Sequence, residues 1–103
     1  MYLWMTTIKA VTGREEALVA WAKEIAALID TGFSPAAPCQ VLIERMSEFG
    51  TVYLAMQIKD SAEIDRAFAW AGESQELQAL MRQGVEAGIQ VPGSRRDTLL
   101  LYR

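Results

Sequence analysis

Trp4, Thr6, Glu44, Tyr53 and Gln57 are the side chains of this 103-residue sequence whose types could hold a small molecule and act on it. A carboxylate among apolar neighbours has its pKa raised by burial and can serve as a general base. A phenol and an amide can donate hydrogen bonds to an enolate or phenolate, and an indole can stack on a ring. Glu44 and Tyr53 are therefore the catalytic candidates, and Trp4, Thr6 and Gln57 the ligand-binding ones. A few polar groups amid apolar walls is the composition of a small-molecule pocket. A plain subunit interface holding a buried, hydrogen-bonded Glu44 is the competing reading.

Absences narrow the remaining chemistry. The chain has no histidine and no asparagine, so it can form no Ser-His-Asp triad, no Cys-His dyad, no imidazole ligation and no N-glycosylation acceptor. Neither common phosphate-cradling glycine loop is present, and no metal or cofactor is expected. Cys39, the single cysteine, has no internal disulfide partner and falls in an apolar strand pattern that suits a buried thiol. Glu44 and Glu48 share a strand face, but four residues separate them by roughly 13 Å, beyond the ~10 Å reach of a glycosidase pair. Arg95 and Arg96 have the planar donors to clamp an anion, or they guard an edge strand. Trp21 belongs to a helix stripe, whereas Trp70 falls off one and suits a cavity mouth, an interface or partly exposed packing.

The composition is that of one folded domain over residues 1–103, with 51% hydrophobic and 22% charged residues. Thirteen acids against ten bases, spread along the chain, leave no basic stripe for a phosphate backbone, so nucleic acid is not expected. No apolar run has the length of a membrane span and no signal-peptide pattern opens the chain, so the expected setting is cytoplasmic.

The elements that must position these side chains follow from periodicity. Tyr2 to Ala10 reads as a strand with Tyr2, Trp4, Thr6 and Ile8 on one side and Leu3, Met5 and Thr7 on the other. Thr12 and Glu15 have capping-box spacing, and the stripe Leu18, Trp21, Ala22, Ile25, Leu28 and Ile29 predicts a helix ended by a left-handed Gly32. "CQVLIERMSEFGTVYLAMQIK" reads as a hairpin with Phe49 and Gly50 as its loop. That register sets Glu48 opposite Thr51, Met46 opposite Tyr53, Glu44 opposite Ala55, Leu42 opposite Gln57, Ile43 opposite Met56 and Val41 opposite Ile58. Val52, Leu54, Met56 and Ile58 then face the core. Asp60 with Glu63 opens a second helix with Ile64, Ala67, Phe68 and Ala71 on one side; Gly72 breaks it, and Ser74 starts a third that Gly88 ends. "DTLLLY" is the last strand.

This order is a split βαββαβ of the α+β class, ferredoxin-like, with a four-stranded antiparallel sheet, a broken second helix and helices on one face only. The open face is expected to carry Trp4, Thr6, Ile8, Leu42, Met46, Tyr53 and Ala55, an apolar patch that should meet a second copy of the chain in a homodimer.

With strand, turn and acidic helix start in "IKAVTGREEAL" and a capped helix in "ESQELQAL", the chain resembles the dimeric α+β barrel superfamily. It is most similar to the NIPSNAP-like and antibiotic-biosynthesis-monooxygenase-like branches. Thr12 stands where such families usually have a proline. The resemblance implies two ferredoxin-like subunits face to face. It also implies cofactor-free oxygenation, isomerisation or cyclisation of an aromatic or polyketide-like compound, with Glu44 as base. The haem-degrading activity of the superfamily needs a histidine and is not implied. A non-catalytic protein that binds a small apolar or aromatic ligand, or serves assembly, is the alternative.

Overall fold

The computed structural model of the chain describes residues 1–46 and 50–103. Its elements are β1 (Tyr2–Lys9), α1 (Glu15–Gly32), β2 (Gln40–Ile43), β3 (Thr51–Ile58), α2 (Ser61–Glu73), α3 (Gln75–Glu86) and β4 (Arg96–Leu101). The strands form one antiparallel sheet in the order β2-β3-β1-β4. This is the ferredoxin-like arrangement expected from the sequence, with the second helical region split at Ser74, whose hydroxyl caps α3 by accepting from the Leu77 N–H at 3.2 Å. Asp60 caps α2 in the same way through the Glu63 N–H at 2.9 Å. At α1 the expected capping box does not form: Arg14 is the N-cap without a side-chain bond, and Glu15 instead accepts from the Gly13 N–H at 3.3 Å.

Which side of β1 meets the helices is set by its partner. Antiparallel neighbours share a face, and β1 pairs Trp4 with Met56, Thr6 with Leu54 and Ile8 with Val52. Val52, Leu54 and Ile8 are buried in one cluster with Leu18, Trp21, Ala22 and Ile25 of α1. Trp4, Thr6 and Ile8 therefore lie under the helices rather than on the open face. The open face carries Leu3, Met5 and Thr7 opposite Gln57, Ala55 and Tyr53. Both sides of β1 are apolar, so its periodicity alone does not choose between them.

The hairpin register also differs from the sequence expectation. β2 ends at Ile43 and pairs Gln40 with Ala55, Val41 with Leu54, Leu42 with Tyr53 and Ile43 with Val52, while the Glu44 N–H donates to the Thr51 carbonyl at 2.9 Å. The pairing slides by four residues because the connection is longer than two. Four is an even number, so Val41 and Ile43 keep the helix-side face. The expected position of Glu48, and Phe49 of the expected loop, lie outside the described residues.

Two indoles packed on glycine backbones hold the three helices together. A Cβ on Gly84 of α3 would lie 2.5 Å from Cε2 of Trp21, and a Cβ on Gly32 of α1 would lie 2.6 Å from Cζ2 of Trp70. Gly32 is thus required for close approach and stays helical; the left-handed residue past α1 is Ser34, at φ 58°, whose N–H bonds back to the Ile29 carbonyl. Trp21 is fixed further by its Nε1–H, which donates to the Leu80 carbonyl at 2.8 Å. Phe68, expected on the apolar side of α2 with Ile64, Ala67 and Ala71, is 60% exposed and lies against the Trp4 ring with centroids 4.8 Å apart. Ala67 of that side is buried, joined by Glu63.

Gly84→Ala should lower stability by about 1–3 kcal/mol, because the hydrogen-bonded indole cannot move aside freely. Gly72→Ala, where an added Cβ meets nothing within 4 Å, should raise it by about 0.5–1 kcal/mol. Paired thermal denaturation curves check both signs.

Candidate functional site

Between the helix layer and the sheet lies a cavity of about 240 Å³. Trp4, Trp21 and Trp70, all the tryptophans of the chain, line it, from β1, α1 and α2 respectively. Phe33 closes the wall beside Trp70, their ring centroids 6.1 Å apart, and the Arg66 guanidinium lies 5.4 Å from the Phe33 centroid on that ring's face. Ala67 and Ala71, one turn apart on α2, leave the space that larger side chains would fill.

The polar groups of the lining are few, and three of them are engaged. The Trp21 N–H is taken by Leu80, and Gln78 spends an amide N–H on the Ala71 carbonyl at 2.8 Å. The Thr6 hydroxyl donates to Asp97 Oδ1 at 2.6 Å. Cys39 borders the cavity, and burial first and the charge of Asp30 second push its thiol from 9.0 up to about 11, so it stays protonated at neutral pH. Asp30 also accepts the Cys39 backbone N–H at 2.8 Å. Arg95 is the charged side chain of the lining among the described residues.

Arg95 is brought there by a turn legible in "VPGSRR". The Ser94 N–H donates to the Val91 carbonyl at 3.1 Å, with Pro92 and Gly93 between them and Gly93 at φ 74°. Proline then a left-handed glycine is the pattern of a type II turn. One strand period later Asp97 receives an Arg95 Nη2 contact at 3.4 Å, both side chains being a little under half exposed.

The five residues expected to meet on one face are divided. Trp4 and Thr6 belong to the cavity. Tyr53 and Gln57 stand on the other side of the sheet. Glu44, with the register shifted, sits past the end of β2 and lines a shallow groove with Glu15, Glu16 and Ile43. Gln40 occupies the place beside Ala55 intended for Glu44. Of the two arginines considered as anion clamps, Arg95 reaches the cavity, whereas Arg96 pairs with Thr7 on the open face. Asp97 and Gln78 were not singled out by sequence; for Asp97 the available signal was its two-residue spacing from Arg95 in a strand. Glu63 was read as a cap residue, yet its side chain is 9% exposed, with Arg66 3.4 Å from Oε2 and a buried Oε1 without a hydrogen-bond partner. No grouping of three potential metal ligands occurs among the described residues, and no helix among them is long and apolar enough to cross a membrane.

No known protein family matches the sequence, and no curated protein does. Solved structures do match in shape. A NIPSNAP domain protein from Burkholderia xenovorans is 13% identical, with a TM-score of 0.76 over 100% of this chain and 95% of its own. A NIPSNAP family protein from Agrobacterium tumefaciens is 12% identical, with a TM-score of 0.73 over 99% of this chain and 92% of its own. An antibiotic biosynthesis monooxygenase is 9% identical, with a TM-score of 0.71 over 100% of this chain and 99% of its own. At these identities the likeness establishes the fold, which is the α+β ferredoxin-like fold of those two groups.

The Cys39 thiol lies two units above its ordinary value, so at pH 8 the folded chain should hold roughly a hundredth of the thiolate of the unfolded one. Its reaction with a disulfide reagent should be slowed markedly and recover in denaturant. A folded pKa raised above the unfolded one adds stability below about pH 9 that is lost as pH climbs to about 11. Denaturation midpoints across that window should fall for the native chain more than for Cys39→Ala.

Proposed function

We propose that this protein binds a small planar aromatic molecule in the helix–sheet cavity. The observation that carries this reading is the convergence of all three tryptophans, drawn from three different elements, on one cavity. A core needs apolar volume, which leucine supplies; three indoles around an open space offer flat stacking surfaces. The volume of about 240 Å³ falls below the ~300–1,000 Å³ of drug-sized sites, which suits one or two fused rings.

Binding is favoured over carboxylate-driven turnover, because the lining offers neither carboxylate nor imidazole among the described residues. Cofactor-free oxygenation, isomerisation or cyclisation remains the reaction class suggested by the fold it shares with an antibiotic biosynthesis monooxygenase. On this reading it is confined to substrates acidic enough to ionise without a protein base, the anion being stabilised by Arg95. The protein would then act through binding and electrostatics.

Calorimetric titration with 2-naphthylmethanol, a neutral two-ring probe, tests the site. The expected outcome is saturable one-to-one binding that Ala71→Phe weakens at least about tenfold by filling the cavity. Absence of binding, or binding indifferent to that substitution, contradicts the reading.

The proposal extends to a homodimer. Leu3 and Met5 of β1, Leu42 of β2 and Leu100 of β4 lie on the sheet face that no helix covers, and Leu42 and Leu100 are 49% and 47% exposed. A second copy is the occupant whose own face matches in apolar character, with Tyr53 and Gln57 as polar members of the interface. Light scattering at low micromolar concentration should give twice the monomer mass. Leu100→Asp should return the monomer with its circular dichroism retained; a wild-type monomer would remove this part of the proposal.

A further inference from the structure

We infer that the cavity selects ligands bearing a carboxylate, received at its mouth by Arg95. This rests on the reading of the cavity as an aromatic-ligand site and adds the group that the aromatic must carry. Arg95 is the charged member of an otherwise apolar and neutral lining among the described residues. Of the neutral donors nearby, Trp21 is used on Leu80, Thr6 on Asp97 and one Gln78 N–H on Ala71, which leaves the Trp4 and Trp70 indole N–H groups and the second Gln78 N–H. Toward the cavity Thr6 can therefore only accept, while Cys39 is held in its neutral, weakly donating form. The charged donor of the lining among the described residues is the guanidinium, and a charge-assisted bidentate pair is what distinguishes a carboxylate from a neutral group.

Arg95 is also held in place without being used up. Its Nη2 lies 3.4 Å from Asp97 Oδ2, a loose contact that engages one corner of a five-donor fork. Asp97 is itself anchored by the Thr6 hydroxyl through its other oxygen, at 2.6 Å. It does not line the cavity, so it steadies the arginine from outside and leaves the inner N–H groups for a bidentate carboxylate. The turn through Pro92 and Gly93 sets where the Arg95 backbone leaves for the strand. Aromatic walls with one planar cation at the rim fit an aromatic acid of one or two rings.

The experiment compares 2-naphthoate with 2-naphthamide, which share shape and differ in charge, by calorimetry on the full chain. The wild type should bind naphthoate about 10–100-fold more tightly. Arg95→Gln should abolish that preference by weakening naphthoate far more than naphthamide. Arg96→Gln, the same loss of charge on the opposite sheet face, should keep it. Naphthamide bound as tightly as naphthoate by the wild type, or Arg96→Gln as damaging as Arg95→Gln, overturns the carboxylate selectivity and leaves the aromatic cavity standing. Binding of neither probe overturns both.

Discussion

The seating of two indoles on two glycine backbones is the constraint on which the helix layer depends. Trp21 reaches from α1 to Gly84 of α3, and Trp70 reaches from α2 to Gly32 of α1. Each contact needs a bare Cα, because any Cβ would fall inside the ring's van der Waals surface. These crossed contacts tie three helices of 18, 13 and 12 residues to one another as well as to the sheet. They also set how closely the helices approach one another. Large flat side chains propped against backbone leave space beside the small Ala67 and Ala71, and the cavity occupies it.

That arrangement links stability to the site. Two of the three indoles that would stack on the proposed ligand, Trp21 and Trp70, are also the ones packed between the helices. Trp21 shows this most clearly, since its indole is buried at 5% exposure, hydrogen-bonded to Leu80 and part of the lining. Arg95 stands apart from this framework on a turn, where its charge stays partly hydrated at the rim. A mainly apolar lining with Arg95, its cation among the described residues, at the edge avoids the several kcal/mol that a buried, unpaired charge would cost.

Element types were legible because their periods are local. Val52, Leu54 and Ile58 of the expected β3 face are buried, and the Asp60 and Ser74 caps appear where their spacing places them. The face of β1 was not legible, since Trp4 and Met5 are equally apolar and the choice is made by long-range pairing with β3. The site divided for that reason. Trp4 and Thr6 turned toward the helices, Tyr53 and Gln57 stayed outside, and a four-residue slide of β2 carried Glu44 beyond the strand. Gly32 illustrates a second limit. A glycine at a helix end suggests a left-handed cap, but here Ser34 takes that conformation and Gly32 serves the Trp70 indole, close in space but distant in the sequence and so invisible to local pattern. Arg95 and Trp70 were visible as candidates because a double arginine before a strand and a tryptophan off its stripe both break the expected pattern.

The proposed ligand would enter between the helices and the sheet rather than on the open sheet face. Two-dimensional nitrogen–proton NMR during titration with 2-naphthoate tests it directly, since each indole N–H gives its own signal. The Trp4 and Trp70 indole signals and the Arg95 side-chain signal should shift together and saturate, with the amides of Thr7, Tyr53 and Ala55 showing much smaller changes. Shifts concentrated at Thr7, Tyr53 and Ala55, with the indole signals unmoved, would contradict the account.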